Sequence, residues 1–221
     1  MIVKFLSYLI PINIYKTKSQ RSKTIEITWA NGEMVLDTKN TNYSYGSLQR
    51  ILRYGLLKIG FSKIREMDRI LVLGVAGGSV IKTLADEIQF KGKITGVEID
   101  PEIIAIANTY FNLKAVPNLE IVIDDAFEYV LKTNTLFDLI IIDIFEDTKM
   151  PNFLFENYFS KRVVTMLKNN GFILFNTMLL EPIHSDRNKK FIREIDKVLF
   201  SVQALKRVEV HNELILIQKN N

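Results

Sequence analysis

"RILVLGVAGGSVIKTLADEI", residues 69–88, is the stretch on which the fold turns. Four apolar residues, Ile70-Leu71-Val72-Leu73, run into the small-residue turn Gly74-Val75-Ala76-Gly77-Gly78-Ser79, and a helical pattern comes after it. A continuous apolar run suits a strand covered on both faces, as in a parallel sheet wrapped by helices. Small residues in the turn let the backbone approach a ligand and aim amides from the start of the next helix. A loop of this kind usually holds a nucleotide.

Downstream, the same alternation repeats. "KITGVEI", "LEIVI", "FDLIIID" and "GFILFNT" read as strands. The helices between them are "PEIIAIANTYFN", with Pro101 at its first turn, "AFEYVLKT", and "NYFSKRVVTMLKN" ending at Gly171. "DRNKKFIREIDKVL" is a last helix, and "VQALKRVEVHNELILIQK" gives two strands about "HN" with no helix between them, hence an antiparallel hairpin at one edge. The spacing predicts an α/β fold with a mostly parallel seven-stranded sheet over residues 65–221.

Upstream, "TIEITWANGEMVLDT" places two strand-like runs around Asn31-Gly32, a dipeptide suited to the positive φ angles of a tight hairpin. "YSYGSLQRILRYGLLKIG" spaces Leu48, Ile51, Leu52, Leu56 and Leu57 as a helix stopped by Gly60. Residues 1–64 therefore read as a small hairpin-and-helix extension, too small for a core of its own, that docks on the α/β region. Trp29 reads as a strand residue packing that hairpin on the main fold.

At 221 residues the chain suits one domain with such an appendage. Hydrophobic residues at 48% and charged ones at 24% argue against disorder. The lack of cysteine excludes thiolate metal sites, thiol nucleophiles and disulfides, and His184 and His211 stand too far apart to suggest a metal centre. Much of the excess charge behind the net +4 lies in "KTKSQRSK" (16–23) and "RNKKFIR" (187–193). No aromatics interleave with it, so both stretches read as solvated surface and nucleic acid is not an expected partner. No run reaches the ~18 apolar residues of a membrane span, and "MIVKFLSYLIPINIY" is broken by Ser7 and Pro11. A soluble cytoplasmic protein without a membrane partner is the expectation.

In open α/β sheets ligands lie at the carboxyl ends of the strands. There the first strand delivers Gly74, Ala76, Gly77 and Gly78, and the second delivers Glu98 with Ile99 beside it. The third delivers Asp124, Asp125 and Ala126, and the fourth delivers Asp143. Singly, each has a plain structural explanation: Asp125 could cap its helix, and Asp100 is read as the cap of the helix at Pro101. Four consecutive strands sending small or acidic residues to one rim is the specific signal. A dinucleotide dehydrogenase would want G-x-G-x-x-G, but Ala76 and Ser79 occupy the second and third glycine positions. An acid after the second strand suits a ribose diol, and one after the third suits an adenine amino group.

With those acids the chain resembles the S-adenosylmethionine-binding, Rossmann-like methyltransferase fold. More narrowly, the hairpin, "NYSYGSLQRIL", "VEIDPEII", "DDAFEYV", "FDLIIID" and "LFENYFSKRVVTMLKNNGFILFN" resemble the spermidine synthases. The resemblance implies that Glu98 holds ribose, Asp125 holds adenine and Asp143 helps take a proton from an attacking amine. It makes a homodimer the assembly to test.

Departures from that family fall on the amine pocket. Gly77 stands where the family carries the aspartate that holds decarboxylated S-adenosylmethionine. The paired D-x-x-D-P motif becomes Asp143-Ile144-Phe145-Glu146-Asp147, and the family's tyrosine-glutamine becomes Ser22-Lys23. Of the pair opening the N-terminal helix, Tyr45 remains, followed by Gly46; Tyr45, and less so Tyr43, could close over the ligand. The C-terminal segment is short and lacks the family's glycine-rich turn. The expectation is therefore that the loop cradles intact S-adenosylmethionine and that a methyl group goes to a small-molecule acceptor. Aminopropyl transfer from decarboxylated S-adenosylmethionine and non-catalytic nucleoside binding are the alternatives. His184 is read as a solvated loop residue and His211 as a hairpin-turn residue.

Overall fold

A computed structural model describes residues 2–37, 42–146 and 149–220. A short helix α1 (Ile2–Leu6) precedes an antiparallel sheet of β1 (Ile12–Thr17), β2 (Ile25–Ala30), β3 (Glu33–Asp37) and β4 (Asn42–Ser44). Helices α2 (Gly46–Ile59) and α3 (Phe61–Arg65) come next. Strands β5 (Arg69–Leu73), β6 (Lys93–Glu98), β7 (Leu119–Ile123), β8 (Phe137–Ile142) and β9 (Leu167–Met178) then alternate with α4 (Ser79–Lys82), α5 (Pro101–Tyr110), α6 (Ala126–Lys132) and α7 (Asn157–Thr165). Helix α8 (Pro182–Glu194) and the hairpin β10 (Phe200–Val208) and β11 (Asn212–Lys219) complete the described chain.

The main sheet has the order β10-β11-β9-β8-β5-β6-β7. Strands β5 to β9 pair in parallel, and β11 lies antiparallel between β9 and β10. Alternate residues along each strand feed two separate cores. Ile70 and Val72 join a cluster with α2, α4 and α5, while Leu71 and Leu73 join the one with α6, α7 and α8. All four are fully buried, and each contributes roughly 1.5–3 kcal/mol by leaving water. Strand order reverses at β5, with β6 on one side and β8 on the other, which opens a crevice at their carboxyl ends.

The N-terminal region packs its apolar residues on the main fold in two places. Helix α2 buries Leu48, Ile51, Leu52, Leu56 and Ile59 in the main core, whereas Leu57, part of the expected apolar face, is exposed. Gly55 lies so close to β9 that an added Cβ would sit 2.5 Å from Leu174 Cδ1. The small sheet packs Ile25, Ile27 and Leu36 on Ile103 and Ile106 of α5. Its turn is as read from Asn31-Gly32, with φ of 51° and 80° and Ala30 paired with Glu33. Trp29 stays half-buried, with Lys4 Nζ 6.0 Å from its ring.

Several elements differ from the sequence reading. The small sheet gains β1 and β4, which the sequence reading did not identify. Helix α7 ends at Thr165 rather than near Gly171, because Met166 and Leu167 are buried and Leu167 pairs with Phe137. Residues 168–171 then bulge before Phe172 resumes pairing with Leu139. The helix after the glycine turn changes to a π-helix at Thr83–Glu87. Helix α8 starts at Pro182, so His184 lies in its first turn, where its ring accepts the Glu181 N–H in a capping box. No helix among the described residues is long and apolar enough to cross a membrane.

Candidate functional site

A cleft of about 860 Å³ opens at the carboxyl ends of β5, β6, β7 and β8. The ends of β5 and β8 touch there: a Cβ at Gly74 would lie 2.2 Å from the Asp143 carbonyl oxygen. Gly74 also has φ of 87°, so this position requires glycine twice over. Ala76, at φ of 47°, carries the turn on beside the cleft.

Glu98 ends β6 and is buried. Its Oε2 accepts the N–H groups of Val75 (3.1 Å) and Ala76 (3.0 Å), and its Oε1 accepts those of Ile99 (3.0 Å) and Asp100 (3.1 Å). A carboxylate offers about four acceptor positions, and all are in use. Glu98 borders the cleft, as expected, and its carboxylate also ties the glycine turn to the loop after β6. Burial pushes its pKa up, and the four amides pull it back.

Asp100 caps α5 by accepting Glu102 N–H at 3.0 Å, as read from the sequence, and also accepts the Ser19 hydroxyl. That second contact pins the β1–β2 loop over the cleft, where Gln20 to Thr24 line it. Asp125 caps α6, with Oδ1 accepting Phe127 N–H at 2.7 Å. No donor among the described residues is recorded at its Oδ2. Asp124 accepts Asp125 N–H at 2.9 Å. Ile99, Asp124, Asp125 and Ala126 all line the cleft.

Asp143 comes directly after β8 and lines the same cleft, keeping some contact with solvent. Its surroundings are close enough that burial pushes its pKa up to about 6, against the opposing effect of one hydrogen bond. That bond comes from Asn176 Nδ2 to Asp143 Oδ1 at 2.8 Å, and Asn176 Oδ1 accepts Asn212 Nδ2 at 2.9 Å. The sequence reading missed both asparagines. The signal was available, since Asn176 interrupts the apolar run of β9 near its carboxyl end.

Three expected ligand residues, Gly77, Gly78 and Tyr45, are not among the residues that line the cleft. A Cβ on Gly77 would lie 2.8 Å from Ser44 Cβ and 3.2 Å from the Tyr45 ring, and one on Gly78 would lie 2.6 Å from Leu113. Close packing behind the turn thus leaves no room for a side chain at either position. Tyr45 stacks on Phe111 with ring centroids 4.3 Å apart, and burial pushes its phenol pKa well up. The Tyr43 side chain and Asp147 lie outside the described residues. His184 is not among the cleft residues, whereas His211, at the β10–β11 turn as expected, lines the cleft with Glu209, which Arg50 of α2 holds at 2.7 Å. The "KTKSQRSK" stretch is more than solvated surface, since it supplies the β1–β2 wall. "RNKKFIR" lies on α8, with Lys189 and Lys190 exposed.

The strand order, with its reversal at β5, defines a Rossmann-like fold of the methyltransferase type. The human methyltransferase-like protein 13, solved with SAH, shares it with a TM-score of 0.66 at 20% identity, over 80% of this chain and 83% of that one. A spermidine synthase solved with the transition-state analogue AdoDATO gives a TM-score of 0.70 at 21% identity, over 95% of this chain and 73% of that one. The sequence matches the family described as Spermine/spermidine synthase domain over residues 53–211, and the chain belongs to that family. The polyamine aminopropyltransferase of Vibrio vulnificus (strain CMCP6) is 28% identical over 127 residues, 56% of this chain and 42% of that protein. The match thus spans less than half the length of that curated relative.

Proposed function

We propose that the chain moves an alkyl group from an S-adenosyl sulfonium donor to an amine, with aminopropyl transfer from decarboxylated S-adenosylmethionine as the leading reading. Family membership and the polyamine aminopropyltransferase relative favour it over the methyl transfer expected from sequence, for which the likeness to methyltransferases is one of fold alone. The observation that carries it is Asp143, a cleft carboxylate whose pKa is pushed up to about 6. An ammonium acceptor must shed a proton before its nitrogen can attack, and a carboxylate raised toward neutrality is a better base than an ordinary one.

The cleft suits cations. Asp124, Asp125, Asp143 and Glu146 face it against Arg21 and Lys23. Its glycine turn admits close backbone approach, and Asp125 Oδ2 would accept an amino group such as that of adenine. The donor supplies a carbon made electrophilic by the adjacent sulfonium. The chain's own contribution is to align the amine and to accept its proton at Asp143.

Methyl transfer from intact S-adenosylmethionine is the second reading, and Gly77 favours it. The space an aspartate would need there is filled by Ser44 and Tyr45, so nothing at this position repels a donor carboxylate. Purified protein incubated with putrescine and either donor, then analysed by mass spectrometry, decides between them. Spermidine formed only with the decarboxylated donor supports the leading reading; a methylated amine formed only with the intact donor supports the second. Nucleoside binding without transfer to any amine would leave a binding protein, and no binding of either donor ends all three.

A further inference from the structure

We propose that Asn176 and Asn212 form an amide relay that holds the Asp143 carboxylate in place and sets its readiness to take a proton, which makes Asn176 a positioning residue. This deepens the reading of Asp143 as the proton acceptor and rests on it. Asn176 is fully buried in β9, between Phe175 and Thr177. A buried amide is costly unless both its ends are hydrogen-bonded, and here both are.

The relay has a direction. Asn212 donates its Nδ2 to Asn176 Oδ1, so the Asn176 oxygen must face β11 and its NH₂ must face Asp143. Reversed, the Asn176 oxygen would confront the carboxylate and the two NH₂ groups would confront each other. Strand register supports the arrangement: Asn176 pairs with Leu214 and Asn212 pairs with Met178, so the two asparagines are diagonal neighbours on one face.

Other ionisable groups reach the cleft from every side. Glu98 comes from β6, Asp124 and Asp125 from the β7–α6 turn, and Glu146 from the loop of Asp143 itself. Glu209 and His211 come from the β10–β11 turn, and Arg21 and Lys23 from the β1–β2 loop. Among the described residues, Asn176 is nevertheless the one whose side chain hydrogen-bonds the Asp143 carboxylate. A donor to the ionised form favours that form, so Asn176 holds down a pKa that burial drives up.

The test is a ¹³C NMR titration of aspartate side-chain carboxyls, with the Asp143 signal assigned from its loss in Asp143→Asn. In Asn176→Ala the Asp143 midpoint should rise by about one pH unit, and in Asn212→Ala by about half as much. If Asn176→Ala fails to fold, the isosteric Asn176→Asp sets two carboxylates side by side, and the midpoint should rise further still. An unmoved midpoint in a folded Asn176 variant overturns the relay. Because the titration needs no turnover, the two failures separate. A moved midpoint without transfer to any amine defeats the proposed function alone, and transfer without a moved midpoint defeats the relay alone.

Discussion

Glu98 accepts four backbone N–H groups, whereas Asp143 accepts one side-chain amide. Both carboxylates border one cleft, at the ends of strands separated only by β5. On the β6–β7 side the acids double as architecture: Glu98 ties two loops together, Asp100 caps α5 and Asp125 caps α6. On the β8 side the acid is free of backbone duty in this sense, and a neighbouring side chain orients it. A change on the first side should therefore cost fold and ligand together. A change on the second should cost chemistry while the fold survives.

The sharpest way to break this contrast is Asp143→Asn. Loss of the proposed general base should slow transfer by about 10²–10⁴-fold, with the melting temperature held or raised, measured by initial rates and thermal denaturation of the same preparation. A large fall in melting temperature would erase the distinction. Glu98→Ala comes next. Orphaning buried amides costs about 1–3 kcal/mol apiece before relaxation, so a net destabilisation of about 3 kcal/mol is expected in a urea titration. Any thermal stabilisation of the unsubstituted protein by added 5′-methylthioadenosine, the nucleoside that aminopropyl transfer would leave behind, should be absent from this variant.

Asp125→Ala should show both effects on a smaller scale. Loss of the α6 cap costs about 1 kcal/mol, and loss of a charged acceptor weakens nucleoside binding by about tenfold, readable by calorimetry. The last effect is on the pH profile of stability. Asp143 has a folded-state pKa raised from 3.8 to about 6. Its contribution to stability is therefore full below about pH 4 and is lost as pH rises through about 6. Asp143→Asn removes that dependence, so its stability relative to the unsubstituted protein should improve across this window, as checked by urea midpoints at each pH.

Much of the main sheet was legible because its signals are local. "RILVL" and "FDLIII" are continuous apolar runs long enough for a strand and too short for an independent helix, and both form central strands. Asn31-Gly32 carries its turn geometry in two residues. The rim was legible for the same reason, since topology alone brings Asp124, Asp125 and Asp143 together once the strands are placed. Less legible were features decided by partners distant in sequence. Leu167 leaves its helix because Phe137 pairs with it, and Gly77 has no room for a side chain because Ser44 and Tyr45 fill the space beside it. The four amides on Glu98 come from two loops, and no pattern in "VEID" announces them. Asn176 was visible as a polar residue in an apolar strand, but its partner across β11 was not.

The insertion of β11 between β9 and β10 also bears on how the protein is made. Asn212 opens that strand, and it emerges from the ribosome after nearly all the rest of the described chain. Until then the sheet is missing an interior member, β10 has no neighbour to join, and Asn176 lacks the group that sets its direction. The N-terminal sheet and β5 to β9 can be synthesised and collapse early, yet a competent cleft must wait until β11 has been made.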